Sequence, residues 1–443
     1  MKEYTRELVG FLRSLQANDL PAEVLDRARY FLLDYLGCAI RGSREPSSGA
    51  IQRMVQRIGA NGCSTIIGTR VRTIPTLAAM ANGAASHAIE MDDTHSGGSI
   101  HLGATMYSAA LALAETLPDI SSETFLTAVV AGFEAAARIA MAVQPKEHYA
   151  LGFHMTGTCG VFGAAITASK LLGLTLDQTI AAVGIAGSMA AGSMEFLADG
   201  AWTKRLHPGL AAQNGIQAAL LAAEGYTGPL RILEGRDGFL HGYSRNPLPE
   251  RLTDGLGKSF EILHTAIKPH ACCRYMQGPI DAVLAILGEH NVDPGEIERI
   301  EVAVLEAGWG IVAEPRDKKF HPESVVDMQF SMPFGAAVAA LDGAAGLDQF
   351  TSEKARSPQV RELMNKVALV KDARIEESFP REWPARVVIE LSNGRCYEKF
   401  VRHPKGDPEN PLTWDELEAK FRALTGREPV DLSNPALIPG LCC

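Results

Sequence analysis

The chain has 443 residues, which is enough for two or three domains. Hydrophobic residues make up 46% and charged residues 21%, a profile that indicates a globular protein with a large core and excludes a disordered chain. The formal net charge of −10 disfavours binding to nucleic acid or to a membrane surface, because both ligands require a basic face.

A series of helices is predicted over roughly the first 265 residues. Apolar residues recur at helical spacing from Val24 to Leu36, after a start signal at Pro21. A capping box of Thr175 and Gln178 is predicted to open a later helix. After the segment 24–36, the predicted helices cover residues 76–91, 103–117, 122–143, 157–173, 177–194 (the helix with the capping box) and 209–224. Because these segments are rich in Ala, Gly and Ser, their axes can approach closely, and we expect a tight, mostly buried bundle.

The pattern changes near Lys268, where strands begin to alternate with helices. Residues 327–341 predict a helix, and Asn393-Gly394 predicts the turn of a hairpin. The predicted strands are residues 300–304, 368–370, 386–391 and 396–401. A further helix, with Thr413 as its N-cap, is predicted in the tail.

These elements predict a mainly α protein, built from a large all-helical domain and a smaller α+β domain. The helical domain is expected to cover residues 1–265 and the α+β domain residues 266–403. The C-terminal segment, residues 404–443, is expected to pack back on the helical domain.

The cysteines predict the redox state and the cellular compartment. The eight cysteines are scattered and show no C-x-x-C spacing, which indicates reduced thiols in a cytoplasmic protein and neither a disulfide framework nor a zinc site. The N-terminal segment carries Glu3 and Glu7 and lacks the apolar stretch of a secretory signal. The longest uncharged run, residues 178–194, is diluted by Gly and Ser, so no membrane span is expected.

Two stretches of the helical part concentrate carboxylates and imidazoles. The segment 90–95, followed by a Gly/Ser loop to His101, carries groups that can hydrogen-bond and titrate, although a solvated helix end has the same composition. His154 stands at a Gly-flanked helix start, where the helix N-terminus is expected to lower the pKa of the imidazole and keep it neutral. A structural cap is the alternative interpretation of His154.

Two further stretches are basic. In the segment 202–209, cationic and titratable groups precede a helix predicted to begin near Pro208, an arrangement that favours an anion site, although an ordinary basic loop is a serious alternative. The segment 268–275 lies at the predicted domain boundary, where ligand clefts commonly occur. Its Cys272 and Cys273 are interpreted as packing residues rather than nucleophiles.

The sequence lacks the motifs of several enzyme classes. It contains no G-x-G-x-x-G, P-loop, H-E-x-x-H or G-x-S-x-G pattern, and its histidines do not show the spacing of a metal set. Neither a metal nor a cofactor is therefore expected. Basic islands in an acidic protein favour a small anionic ligand, a carboxylate or a phosphate.

Motifs of one enzyme family are spread over the whole chain. They comprise residues 87–95 (HAIEMDDTH), 152–154 (GFH) with 160–163 (GVFG), 199–209 (DGAWTKRLHPG) and 268–274 (KPHACCR). In these segments the sequence resembles the MmgE/PrpD family, whose members include 2-methylcitrate dehydratase, cis-aconitate decarboxylase and iminodisuccinate epimerase. The resemblance implies a homodimer in which each chain has a large helical domain, a smaller α+β lid and an active site between them.

The resemblance also implies roles for individual residues. His101 and His154 are the expected acid/base pair, and Lys204 and Lys268 are expected to bind substrate carboxylates. Further substrate-binding residues are expected at Glu90, Asp92, Asp93, Thr94, His207 and Arg274.

The chain departs from its relatives at five positions. Relatives often have Pro after each key histidine, where this chain has Leu102 and Met155, and often have Asp where Glu90 stands. Phe334 occupies a position where several decarboxylases have Tyr, so a hydroxyl that could assist protonation is missing. Gln277 stands where a histidine is common.

We therefore expect a cofactor-independent lyase that dehydrates or decarboxylates a small di- or tricarboxylate similar to 2-methylcitrate or cis-aconitate. The lysines would stabilise carbanion charge beside a carboxylate, and His101 and His154 would transfer protons. An epimerase or isomerase of a dicarboxylate such as iminodisuccinate would use the same groups and is one alternative. A non-catalytic helical dimer is the other.

Overall fold

The computed structural model describes residues 2–432, so the last eleven residues of the predicted C-terminal segment lie outside the described part. The chain divides into two compact units. The first unit comprises the described residues up to Glu195, Trp202–Thr265 and the described residues from Thr413 onward. The second unit comprises Phe196–Ala201 and Ala266–Leu412. The first is almost wholly helical and the second combines helices with a four-stranded sheet, which confirms the predicted fold class.

The first unit is a bundle of long helices. Its helices are α1 (Tyr4–Ser14), α2 (Ala22–Gly42), α3 (Pro46–Ile58), α4 (Pro75–His87), α5 (Gly103–Ala114), α6 (Ser122–Val143), α7 (Pro145–Ala150), α8 (Met155–Leu171), α9 (Leu176–Gly187), α11 (Thr203–Ala223), α12 (Phe239–Tyr243) and α21 (Trp414–Thr425). Three two-residue strands, β1 (Ser64–Thr65), β2 (Arg72–Thr73) and β3 (Thr94–His95), lie in its loops, and β4 (Thr265–Ala266) stands at the unit boundary.

Helices α8 and α11 form the centre of this bundle. They pack on each other, α11 also packs on α4, and α8 also packs on α5 and α6. Every residue of α5 is buried, and so is almost every residue of α8, which explains why both sequences are apolar or small on all sides. The capping box predicted for α9 is present, since the Thr175 hydroxyl accepts from the backbone N–H of Gln178.

Helix α6 is long and apolar enough to cross a membrane by length and composition. However, 94% of its most apolar window is buried inside the first unit, which is the environment of a core helix. It also carries a buried ion pair between Arg138 and Glu134, with 2.7 Å between the guanidinium and the carboxylate.

Helix α11 begins five residues earlier than the sequence predicted. It starts at Thr203, so Pro208 lies inside it, and Lys204 and Arg205 belong to its first turn. The prediction of an anion site at a helix N-terminus near Pro208 is therefore wrong in its geometry. Because proline has no N–H, it cannot donate to the carbonyl four residues earlier, which is why the sequence pattern suggested a helix start there.

Backbone contact without intervening side chains joins α4 to α11. A Cβ atom on Gly83 would lie 2.8 Å from the Cα of Gly209, and a Cβ on Gly209 would lie 2.2 Å from the carbonyl oxygen of Met80. Real Cβ atoms do not approach backbone so closely, so both positions require glycine for steric reasons. A similar approach joins α6 to α8, where a Cβ on Gly163 would lie 2.6 Å from the carbonyl oxygen of Gly132.

The second unit contains one four-stranded sheet and shorter helices. Its helices are α10 (Phe196–Asp199), α13 (Arg274–His290), α14 (Glu306–Val312), α15 (Arg316–Phe320), α16 (Val325–Gln329), α17 (Met332–Asp342), α18 (Ser352–Arg356), α19 (Pro358–Asn365) and α20 (Ala373–Glu376). Its strands are β5 (Ile297–Ala303), β6 (Val367–Val370), β7 (Ala385–Leu391) and β8 (Cys396–Val401).

The strand order in this sheet is β6-β5-β7-β8, with β5 and β6 parallel and the other pairs antiparallel. The predicted hairpin is β7–β8, and α13 packs on both of its strands. The helix predicted at residues 327–341 is two helices, α16 and α17. The break occurs because the Ser331 hydroxyl accepts from the backbone N–H of Phe334 and so caps a new helix, with Pro333 in its first turn.

A buried ion pair links α13 to the segment after β8. The Arg274 guanidinium donates to the carboxylate of Asp407 and lies 4.9 Å from the centre of the Trp383 ring. Both charged side chains are almost fully buried. Burial raises the pKa of Asp407 to about 6, while the positive charge of Arg274 acts in the opposite direction.

We predict that Gly209→Ala destabilises the first unit. The added Cβ must separate α4 from α11, and overpacking of this kind costs about 1–3 kcal/mol or more. Gly10→Ala in α1 is the matched control, because a Cβ there meets nothing within 4 Å. This control should stabilise the unit by roughly 0.5–1 kcal/mol. Urea unfolding followed by far-UV circular dichroism measures both, and equal midpoints for Gly209→Ala and wild type would contradict the steric argument.

We predict that Arg274→Met destabilises the second unit, because it leaves the buried Asp407 without its counter-charge. Breaking a buried pair by removing one partner costs roughly 3–5 kcal/mol. Arg274 lowers the pKa of Asp407, so in the variant the carboxyl of Asp407 should have a pKa above about 6. Just above that pH the folded variant should therefore bind more protons than the folded wild type does. Its loss of stability should therefore grow as the pH rises above about 6.

Thermal unfolding at about pH 5 and about pH 8 measures this difference. The double variant Arg274→Met/Asp407→Leu removes both charges and should recover much of the loss. If Arg274 instead serves mainly to bind substrate, the single variant will unfold at the wild-type temperature at both pH values.

Candidate active site

Eight of the ten predicted site residues belong to the first unit, and four segments of that unit bring all eight into contact with one another or with His87. The segments are the chain after α4, the loop before α5, the residue before α8 and the first turns of α11. Lys268 and Arg274 belong to the second unit. Lys268 is only 1% exposed, and Arg274 forms the ion pair with Asp407 described above.

One carboxylate serves two imidazoles. The His87 Nδ1–H at the end of α4 donates to Oδ2 of Asp92 over 2.6 Å, and the same oxygen lies 3.3 Å from Nδ1 of His101. His101 also directs Nδ1 at the carbonyl oxygen of Asp93, 2.8 Å away. Since oxygen acceptors surround Nδ1 of both rings, both imidazoles carry a proton on Nδ1, and in the neutral form of each ring Nε2 holds the lone pair.

His87 was not predicted to be a site residue. Its Nε2 atom is buried and has no hydrogen-bond partner among the described residues. Burial lowers the pKa of His87 to about 3, although the charge of Asp92 opposes the shift. The sequence carries a signal for this residue, because His87 begins the motif that ends at His95 and stands five positions before Asp92.

His154 is the N-cap residue of α8, as the sequence predicted. Its Nδ1 lies 2.9 Å from Nδ1 of His207, so one of these nitrogens donates and the other accepts. Burial lowers the pKa of His154 well below its ordinary value, and the charges of His207 and Lys204 act in the same direction. The predicted direction is found, but burial rather than the helix N-terminus is the largest cause.

Three imidazoles therefore meet in one place, which we call the histidine cluster (His87, His101 and His154). The ring centres of His87 and His101 lie 4.5 Å apart, those of His87 and His154 6.0 Å, and those of His101 and His154 6.3 Å. All three side chains are buried. His207 adjoins the cluster, and burial lowers its pKa to about 4, with Lys204 contributing.

Lys204 supplies a buried positive charge beside these rings. Its ammonium group donates to the carboxylate of Glu90, and both side chains are almost fully buried. Glu90 has a φ angle of 57°, in the left-handed region that non-glycine residues rarely adopt. Backbone strain of this kind persists only where surrounding contacts enforce it, and the Lys204 ion pair is one such contact.

Asp93 and Thr94 make contacts that hold His101 in place. Asp93 accepts from the backbone N–H of Gly103 at 2.8 Å and from that of Leu102 at 3.2 Å, at the first turn of α5. Burial raises the pKa of Asp93 to about 8, and the charge of Asp92 adds to the shift. The Thr94 hydroxyl lies 3.3 Å from Nδ1 of His101.

In the second unit, Gln277 organises the loop that carries Lys268. The side-chain oxygen of Gln277 accepts from the backbone N–H of His270, and its amide nitrogen donates to the carbonyls of His270 and Cys272, each over 3.1 Å. Cys272 and Cys273 are buried and form no disulfide, which agrees with a packing role. Phe334 is also fully buried and packs on Phe350.

A surface cleft of about 330 Å³ lies elsewhere in the first unit and is lined in part by Arg13, Glu123 and Lys170. Lys170 lies sixteen residues after His154, roughly 24 Å along α8 at 1.5 Å per residue. Its ammonium group donates to the backbone carbonyls of Leu12, Arg13 and Leu15. Lys170 therefore caps the end of α1, and the cleft is distinct from the histidine cluster.

The arrangement can bind an anion and move protons. A buried ammonium favours a negative ligand, and imidazoles whose Nε2 holds a lone pair can accept a proton and return it. The carboxylate of Asp92 fixes the orientation and the tautomer of two of these rings, as the third member does in catalytic triads.

Comparison with known proteins identifies the family of the chain. The family models of the MmgE/PrpD N-terminal domain and C-terminal domain match residues 6–252 and 270–430. The cis-aconitate decarboxylase-like protein oryM of Aspergillus oryzae is 32% identical, over 95% of this chain and 90% of the relative. Cis-aconitate decarboxylase of Aspergillus terreus is 30% identical, over 95% of this chain and 89% of the relative. The mouse (Mus musculus) enzyme of that name is 29% identical, over 96% and 87%.

These relatives are lyases, and the prediction of an enzyme of the lyase type is confirmed at that level. The two family models together span most of the chain. The chain therefore belongs to the MmgE/PrpD family, as its motifs predicted.

Proposed function

We propose that this enzyme decarboxylates cis-aconitate or a closely similar tricarboxylate by histidine acid/base chemistry. The single observation that carries the proposal is the histidine cluster beside the buried Lys204 ammonium, in a chain whose relatives are named cis-aconitate decarboxylases. Dehydration of a substrate such as 2-methylcitrate was predicted alongside decarboxylation, and the two alternatives were epimerisation of a dicarboxylate such as iminodisuccinate and a non-catalytic helical dimer. The confirmed lyase class weighs against the last two.

Lys204 is proposed to bind one substrate carboxylate. A lysine ammonium has three donors, so Lys204 can hold Glu90 with one of them and a substrate oxygen with another. Neutralising that carboxylate lowers the cost of building negative charge on the neighbouring carbon. Lys268 and Arg274 remain predicted carboxylate ligands, and the ion pair of Arg274 with Asp407 favours a structural role for the arginine.

Decarboxylation requires one proton. Breaking the C–C bond releases neutral CO₂ and leaves an electron pair on the substrate, which a proton must then capture. We assign this proton to His101 or His154, with the other ring accepting or relaying it. In the structure without substrate the pKa of His154 is low, and the negative charge of a bound polycarboxylate would raise it, because a nearby anion favours imidazolium.

The contacts of Asp92, Asp93 and Thr94 support positioning roles in this scheme. The carboxylate of Asp92, the backbone carbonyl of Asp93 and the hydroxyl of Thr94 all face Nδ1 of His101. Holding Nδ1 protonated keeps Nε2 available for the substrate.

The proposed substrate predicts a specific product. Incubation with cis-aconitate in deuterated water should release CO₂ and place deuterium on the product carbon that receives the proton, as seen by proton NMR. The same assay with 2-methylcitrate, citrate and iminodisuccinate provides the controls. Water loss from 2-methylcitrate would instead indicate a dehydratase. Deuterium exchange in iminodisuccinate without new unsaturation would indicate an epimerase, and no turnover of any compound would overturn the proposal.

We predict that His101→Gln and His154→Gln each lower kcat by about 100-fold or more, since each positioned proton transfer contributes roughly 10²–10⁴ in rate. His148→Gln is the control, because His148 is equally buried but bonds Thr158 and the carbonyl of Tyr243 outside the cluster. The His148→Gln variant tests whether the protein tolerates a glutamine amide in place of a buried imidazole, and its kcat should stay near the wild-type value. Near-normal rates in both cluster variants would remove the two histidines from the mechanism.

A further inference from the structure

The histidine cluster has the composition and spacing of a metal site. Each of its three rings offers one nitrogen, and these three nitrogens all lie within 4.8 Å of one another. Zn²⁺ is held at about 2.0–2.1 Å from each imidazole nitrogen, so the three rings would have to move closer together to bind one ion. No metal site was predicted from the sequence, because His87, His101 and His154 stand too far apart in the chain to form a spacing motif.

The hydrogen bonds of the cluster orient its lone pairs for ligation. Nδ1 of His87 is occupied by Asp92, and Nδ1 of His101 by the carbonyl of Asp93, so both rings present Nε2. The Nε2 atom of His87 has no hydrogen-bond partner among the described residues, although the ring is completely buried. A buried polar atom without a partner is costly, and a metal ion would satisfy it.

The surroundings match the outer shell of known metal sites. Metal-ligating histidines usually donate their other ring N–H to a carboxylate, a carbonyl or another acceptor, which fixes the tautomer and raises ligand basicity. Asp92 does this for His87, the Asp93 carbonyl for His101, and Nδ1 of His207 can do so for His154. The positive charge of Lys204 opposes a cation here, but the carboxylate of Glu90 compensates it directly.

We propose that His87, His101 and His154 bind one divalent transition-metal ion of the Zn²⁺ class, and that this ion inhibits the enzyme. Three imidazole nitrogens without a sulfur ligand suit Zn²⁺ and Co²⁺ rather than Ca²⁺ or Mg²⁺, which prefer oxygen. The inhibition rests on the proposed function, because the ion would occupy the lone pairs that His101 and His154 need for proton transfer.

Co²⁺ is the probe that reports the ligands directly. The metal-free full-length protein should bind one Co²⁺ per chain with visible d–d absorption and without the thiolate charge-transfer band that the exposed Cys63 or Cys396 would produce. His87→Gln should weaken binding by tenfold or more, since even outer-shell losses cost about 10–100-fold. His148→Gln is the matched control and should bind like the wild type.

A second measurement does not depend on any variant folding. X-ray absorption of the Zn²⁺-loaded wild type should show nitrogen scatterers with the multiple-scattering pattern of imidazole. Sulfur ligands, no bound ion, or equal affinity in His87→Gln and wild type would overturn the site. These readouts decide the question even if cis-aconitate proves not to be the substrate.

Turnover tests the inhibitory half separately. The experiment uses a substrate that the enzyme converts. Zn²⁺ should abolish turnover of this substrate at the same concentration that fills the site, and a chelator should restore turnover. Full activity of the wild type with one ion bound at the cluster would overturn inhibition.

Discussion

Helices α4 and α11 contact each other through backbone atoms, without intervening side chains. The rest of the first unit depends on this constraint. Gly83 and Gly209 bring the two helix axes closer than any side chain would allow. His87 follows Gly83 by four residues, so it lies on the same face of α4, and Lys204 stands in the first turn of α11. The proximity of Lys204 is one of the causes that lower the pKa of His87. The close approach of the backbones thus places an imidazole and an ammonium side by side.

Such close packing excludes water. Buried polar and charged groups must therefore form their hydrogen bonds and ion pairs with other groups of the protein. Buried charges are tolerated only when they are paired and hydrogen-bonded. Lys204 is paired with Glu90, and Asp92 is shared by His87 and His101. The left-handed backbone at Glu90 is a local cost of this pairing. The chemistry of the site therefore follows from the packing, because burial lowers the pKa of His87, His154 and His207 and makes the ion pairs obligatory.

Most residues of the candidate site were predicted from the sequence, but their geometry was not. The carboxylates near Glu90, and His101 and His154, could be found because polar residues stand out in small, apolar helices. His87 was missed because a histidine at a helix end looks like an ordinary terminus, and its importance depends on Asp92 folding back on it. The start of α11 was misplaced because Pro208 is a strong local signal for a helix start, while the packing on α4 and α8 that stabilises the preceding turn is not local. The helix predicted at 327–341 was broken by Ser331, a cap that the apolar pattern concealed.

Helix α21 explains why the first unit needs residues from both ends of the sequence. Lys420 in α21 donates to Asp34 in α2 over 2.5 Å and to the carbonyl of Met91 over 2.7 Å. Met91 stands between Glu90 and Asp92, so a residue 329 positions later fixes the backbone between the partner of Lys204 and the partner of His87. The left-handed turn at Glu90 carries two of the predicted site carboxylates, and α21 supports this turn from outside the cluster. The Thr413 cap was visible in the sequence, but this support was not, because it depends on a contact between distant parts of the chain.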